Sequence, residues 1–280
     1  MKYFRAAALW LALAPALLHA QTGTPGFECL IEPSQVVEVR TSVEGIVAQV
    51  HVQRGDAVRR GQVLVELQSA VERAAVDSAA YRAKMEGQIA AARNRLEFSG
   101  RKLSRANDLH AQNFTSGQLR DDAEAERRLA EAELQAAVEN RELAIIEHRR
   151  AAEQLALRTM VSPFNGVVLD RLLNPGDLAE AGTGRKPVLK LARIDPLRVD
   201  VVLPAALFGQ VRPGRQANVV PQTGGGRYGA TVKMVDKVID SASGTFVARL
   251  ELPNPQQTLP AGMRCTAEIE GLAPAARPKS

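Results

Sequence analysis

The chain has 280 residues, 45% of them hydrophobic and 24% charged, with 36 Lys and Arg against 31 Asp and Glu, a formal charge of +5. The basic residues are interspersed with acids and only 4% of residues are aromatic, so nucleic acid finds neither the basic patch nor the stacking platforms it requires. Two cysteines limit the chain to a single disulfide.

Residues 1–20 combine Lys2 and Arg5, an apolar run from Ala6 to Leu18 and a small residue at Ala20, the layout of a secretory signal peptide cut after Ala20. The run is shorter than the ~20 residues of a comfortable membrane span. Cys29 lies too far beyond the cut for a lipid-modified N-terminus. Loss of Lys2 and Arg5 leaves 34 basic against 31 acidic residues, +3, on a mature chain expected to be soluble. In an exported chain, Cys29 and Cys265 either form one bond or stand as two buried thiols.

After an N-terminal segment over 21–35, residues 36–70 alternate short apolar runs with glycine turns: Val36 to Val43, Gly45-Ile46-Val47, Gly55-Asp56, then Gly61 to Leu67. This predicts short strands and tight turns. Residues 158–193 repeat the scheme: Val161 to Asn165, Gly166-Val167-Val168, Gly176-Asp177, then Pro187 to Leu191. Gly45 and Gly166 open equivalent strands, and Gly55 and Gly176 stand in equivalent turns. The two stretches form an internal repeat.

Between the copies, residues 71–157 are rich in Ala, Glu and Arg, contain no Pro, and are interrupted only at Asn113 to Gly117. The pattern predicts an antiparallel helical hairpin of coiled-coil type. Val71, Val76, Met85, Ile89, Leu96, Leu103 and Leu109 form the apolar stripe of the first arm. Leu119, Ala123, Leu129, Leu134, Val138, Ile145 or Ile146, Ala152 and Leu155 form that of the second. Arms of ~40 residues would each span ~60 Å, so the hairpin should project. Ser116 is the expected N-cap of the second arm through its hydroxyl, with Asp121, Asp122 and Glu124 in the first turns.

Residues 194–271 change to strands with Pro and Gly turns: Leu197 to Leu203, Ala217 to Val220, Tyr228 to Val238, Phe246 to Leu252 and Cys265 to Ile269, with a short helix over Pro204 to Gln210. This spacing predicts a small antiparallel barrel, followed by a disordered tail over 272–280. Gly224-Gly225-Gly226 lacks the Lys and Ser/Thr of a phosphate loop and reads as a strand connection. His51, His110 and His148 are scattered, no metal-ligand spacing appears, and no nucleophile stands near a base. The chain reads as a non-enzyme.

The two half-repeats resemble a biotinyl/lipoyl domain. The junction after Leu67 is Gln68-Ser69-Ala70, without the modified Lys of carrier versions, so no cofactor is implied. A split lipoyl-like β-sandwich with a coiled-coil hairpin inserted in it, behind an export signal, resembles the periplasmic adaptors of tripartite efflux pumps, the membrane fusion proteins of the HlyD/RND-adaptor type. Adaptors that dock on TolC-type channels carry Arg, Leu four residues on and Ser seven further, and Arg105, Leu109 and Ser116 match that spacing. The expected class is therefore mainly β with a long helical hairpin: a split lipoyl-like sandwich plus a small antiparallel barrel.

The resemblance further implies that Phe27 to Glu32 supplies the first barrel strand, which puts Cys29 and Cys265 in one domain. Chemically, Arg105 offers a planar fork of donors, Leu109 an apolar knob and Ser116 a turn cap. The alternative is that Leu109 is the last rung of the coiled coil and Arg105 merely solvated. The implied partners are an inner-membrane transporter, RND-type first and ABC-type as alternative, a TolC-type channel, and further copies of the chain in a ring of six. After Gly271 only a short tail remains, implying a form without the membrane-proximal domain of larger adaptors. A lipoyl-type carrier component and a free-standing coiled-coil scaffold are the competing readings.

Overall fold

The computed structural model of the chain describes residues 26–272. The leader read over 1–20 and the tail beyond Leu272 lie outside the described residues. Two compact units divide the described residues, 33–195 in one and 26–32 with 196–272 in the other.

In residues 33–195, the repeat folds as two interlocked halves. The first half holds β2 (Gly45–Val50), β3 (Ala57–Val58) and β4 (Val63–Leu67); the second holds β5 (Thr159–Val161), β6 (Gly166–Arg171) and β7 (Leu178–Ala179). Neither half pairs its short strand with itself. β3 pairs with β6 and β7 with β2, so Val58 faces Gly166 and Ala179 faces Gly45.

The turns exchange in the same way. Gly55 donates to the Val168 carbonyl and Gly176 to that of Val47, each at 2.9 Å, while Val168 and Val47 donate back to the Asp56 and Asp177 carbonyls at the same distance. Each turn is closed by its own aspartate: Asp56 Oδ2 accepts from the Gln53 N–H at 2.7 Å and Asp177 Oδ2 from the Asn174 N–H at 2.8 Å. Gly55 and Gly176 adopt φ of 92° and 93°, a conformation that side chains resist. Even the irregularity is copied, with a register shift after Val47 in β2 and after Val168 in β6. Val47, Leu64, Val65, Leu67, Val168, Leu189 and Leu191 fill the common core.

The helical insertion begins at β4 and returns at β5. The first arm consists of two helices, α1 (Ala70–Lys84) and α2 (Gly87–Ala111), and the second of one, α3 (Gly117–Ala156). The single first arm expected from the sequence is thus broken at Met85, whose backbone is extended. The break has a geometric role. In α1 the seam positions are 72, 76, 79 and 83, and an unbroken helix would continue at 86 and 90; in α2 the seam runs 89, 92, 96, 99, 103, 106, 110. Two non-helical residues reset the phase so that both helices face α3.

The seam also corrects the expected stripes. Its fully buried positions are Ala79, Ser99, Ala106, Ala123, Ala130 and Ala137, whereas Val71, Met85, Leu109, Leu119, Leu129, Ile145 and Ile146 are exposed. Ala123, Ala130 and Ala137 recur every seven residues. Small residues at these positions let the helix backbones approach closely, while Val76, Ile89, Leu96, Leu103, Leu134 and Val138 of the expected stripes stay half-buried on the seam.

At the base, Arg158 ties insertion to sandwich. Its guanidinium donates to Glu72 of α1 at 2.6 Å and to the Glu44 carbonyl at 2.9 Å, while its own carbonyl accepts from the Leu67 N–H.

The second unit is a barrel formed by the N-terminal part of β1 (Phe27–Val39), the C-terminal part of β8 (Leu189–Pro204), β9 (Gln216–Pro221), β10 (Tyr228–Val235), β11 (Thr245–Leu252) and β12 (Met263–Ile269). Neighbours run β1-β12-β9-β10-β11-β8, and β8 pairs back to β1. Strict alternation explains the interior: Leu197, Val199, Val201 and Leu203 of β8 and Phe246, Ala248, Leu250 and Leu252 of β11 are buried in turn. The short helix expected over Pro204 to Gln210 is a single 3-10 turn at Ala205–Leu207, and the strand expected to reach Val238 ends at Val235.

Candidate functional site

The free end of the hairpin is a built turn. Asn113 has φ of 58°, the left-handed conformation that Asn tolerates better than most residues. Around it the Phe114 N–H bonds the Leu109 carbonyl at 2.9 Å and the Asn113 N–H bonds that of His110 at 3.0 Å. These two bonds are the Schellman closure of a helix C-terminus, satisfying carbonyls that α2 would otherwise leave open. The His110 ring lies 3.3 Å from the Thr115 carbonyl on the other side of the turn.

On this frame Arg105 and Leu109 stand one turn apart on the same face of α2. Arg105 is exposed and forms no ion pair among the described residues. Leu109 is 44% exposed. Ser116 occupies the N-cap position with extended backbone, φ −74° and ψ 154°, but its hydroxyl makes no capping bond. Its carbonyl instead accepts from the Leu119 N–H at 3.2 Å. The expected hydroxyl cap is therefore replaced by backbone closure. Asp121, Asp122 and Glu124 stand in the second turn of α3. Arg120 is bonded to Asp121 at 2.7 Å, and that carboxylate raises the guanidinium above its ordinary value, so it remains charged.

The sequence reading passed over Phe114, the most exposed large side chain of the tip at 76%. Its signal was present: Asn followed by an apolar residue after a helix is the pattern of the Schellman closure, which places Phe114 and Leu109 at the two positions that typically touch.

The four repeat glycines belong to the base. A Cβ on Gly166 would meet the Ala192 carbonyl oxygen at 2.2 Å, and one on Gly45 the Arg158 Nη1 at 2.6 Å. Cys29 and Cys265 lie directly opposite in the β1–β12 ladder with their sulfurs joined, Cα atoms 4.8 Å apart. Among the described residues no group of His, Cys, Asp or Glu could hold a metal ion, and no helix is long and apolar enough to cross a membrane.

A split sandwich, an inserted hairpin and a six-stranded barrel match two family models in sequence. Residues 35–184 match the CzcB-like barrel-sandwich hybrid domain and residues 197–273 the CusB-like beta-barrel domain. The chain belongs to the membrane fusion protein family. Similar proteins include the multidrug resistance protein MdtE of Escherichia coli, 26% identical over 273 residues, covering 93% of this chain and 66% of that one. The pyoverdine export membrane fusion protein PvdR of Pseudomonas putida is 26% identical over 207 residues, covering 73% and 53%. This adaptor-family chain thus spans between about half and two thirds of the length of these relatives. In fold it resembles MacA from Actinobacillus actinomycetemcomitans, with a TM-score of 0.72, 22% identity, and coverage of 87% of this chain and 77% of that one.

Proposed function

We propose that the protein is a periplasmic adaptor that couples an inner-membrane transporter to a TolC-type outer-membrane channel, docking on the channel through Arg105, Leu109 and Ser116. The observation that carries this reading is the tip itself: a hydrogen-bonded turn presenting an unpaired guanidinium and exposed apolar side chains at the end of a 40-residue helix, ~60 Å from its base. Preorganised anchors of this kind lose little entropy on binding.

An RND-type pump is the preferred engine, with an ABC-type exporter as the alternative. ATPase stimulation on reconstitution marks the second and proton-driven transport the first. Relatives named for multidrug resistance and pyoverdine export support a small exported molecule as cargo. Six copies in a ring would seal the conduit, and neighbours in such a ring need heterologous surfaces that close. In the periplasm the Cys29–Cys265 bond would staple the first barrel strand to the last; alkylation of both thiols without reductant would refute it.

The deciding experiment is in-cell photo-crosslinking from a probe at Leu109, with adducts identified by mass spectrometry. Capture of an outer-membrane channel is the expected result, together with loss of export in Leu109→Ser and Arg105→Asp at unchanged folding. A folded, exported protein that captures no channel would return the hairpin to a structural scaffold.

A further inference from the structure

The seam between the two arms is interrupted at one level. Its first-arm side chains run to residue 83 and resume at 89, and every side chain between them is exposed. A seam contact is due every three or four residues, so one is missing there. The space it leaves is a cavity of about 450 Å³ between the arms. That volume falls within the ~300–1,000 Å³ of small-molecule pockets.

The opposite wall carries a second irregularity at the same level. On α3 the seam follows Ala130, Leu134, Ala137, Arg141 and Ala144, alternating four and three residues, so an arginine takes the position that faces the break. Arg141 is half-buried and meets Glu86 at 3.2 Å, while its Nε atom is buried without a hydrogen-bond partner. A buried donor left open costs free energy that an acceptor placed in the cavity would recover.

Arg82 of α1 lines the same cavity, and none of the residues lining it is acidic. The carboxylates that neighbour the two arginines belong to Glu86 and Glu147, 70% and 50% exposed, the second 3.6 Å from Arg82. Ion pairs so open to water hold weakly and yield to a better-placed anion. The remaining wall is mainly apolar, with Met85 and Ile89 as its large members. The cavity therefore offers positive charge at one side and aliphatic surface at the other.

We infer that the cavity at the break is a binding site for an amphipathic organic anion, its carboxylate on Arg141 and Arg82 and its aliphatic tail against Met85 and Ile89. A guanidinium fork suits a carboxylate because two parallel N–H donors match its two oxygens. A guest there touches α1, α2 and α3 together, so occupancy fixes the hairpin where its first arm changes phase. The site is independent of what the tip docks on.

The test uses the full exported chain, with decanoate as the probe and decylamine and acetate as controls for head and tail. Calorimetric titration should show one decanoate per chain and no saturable binding of either control. Arg141→Gln should weaken decanoate about 10-fold, the loss expected for a charged hydrogen bond, with Arg141→Lys between the two. Should Arg141→Gln melt early, Arg82→Gln at an exposed side chain decides instead, with a smaller loss. A diazirine analogue of decanoate should label residues 85–89 and 137–144, and hydrogen exchange over 84–90 should slow on binding. No saturable binding, equal binding of decylamine, labelling elsewhere, or unaltered affinity in the arginine variant that keeps its melting temperature would each overturn the site.

Discussion

The sandwich and the hairpin, both within residues 33–195, are stabilised in opposite ways. The sandwich buries large aliphatics such as Leu64, Leu67, Leu189 and Leu191 around glycines whose missing Cβ atoms allow backbones to meet. The hairpin fully buries only alanines and Ser99, and its large side chains are half-buried on the seam or exposed. In the first, tolerance to change is set by backbone clearance and shared turns. In the second it is set by how thin the seam stays.

The largest expected effect comes from Gly166→Ala. Its Cβ would press on the Ala192 carbonyl, which as backbone cannot swing aside, and the cost should be about 3 kcal/mol in chemical denaturation. A change below about 1 kcal/mol would mean that the two halves are less tightly locked than the ladder implies. Next is Ala130→Leu on the buried seam, which should cost about 2 kcal/mol and lower the helical signal, while Leu129→Ala beside it should stay within about 0.5 kcal/mol. Equal losses at these neighbours would abolish the distinction between seam and outer face. Asp56→Ala and Asp177→Ala each remove one turn closure, and each should cost about 1 kcal/mol by thermal melting. A clear inequality would show that the repeat is symmetric in shape and not in energy. Smallest, and of opposite sign, Gly100→Ala in α2 meets open space and should stabilise by about 0.5 to 1 kcal/mol.

Much of this was readable before any coordinates. The glycine pairs marked the half-repeats because positive φ and close approach leave few alternatives, and the interruption at Asn113 to Gly117 marked the tip. What misled was the weight given to large side chains. Val71, Leu119 and Leu129 have helical spacing and yet face outward, since apolar spacing reports a face and not which partner covers it. Ser116 was expected to cap through its hydroxyl, and the Schellman bonds around Asn113 close the turn without it.

The sequence by itself determined the local units: which residues alternate, where the chain must turn, where the hairpin begins, reverses and ends, and the spacing of Arg105, Leu109 and Ser116. These follow from backbone sterics and side-chain period, which act over a few residues. Only the tertiary structure decided that each half-repeat gives its short strand to the other half, that the break at Met85 rephases the seam, that Cys29 stands opposite Cys265, and that Lys102 meets Glu126 and Arg95 meets Glu133 across the two arms. These depend on register between segments far apart in the chain, and register is set by which surfaces fit when the segments meet.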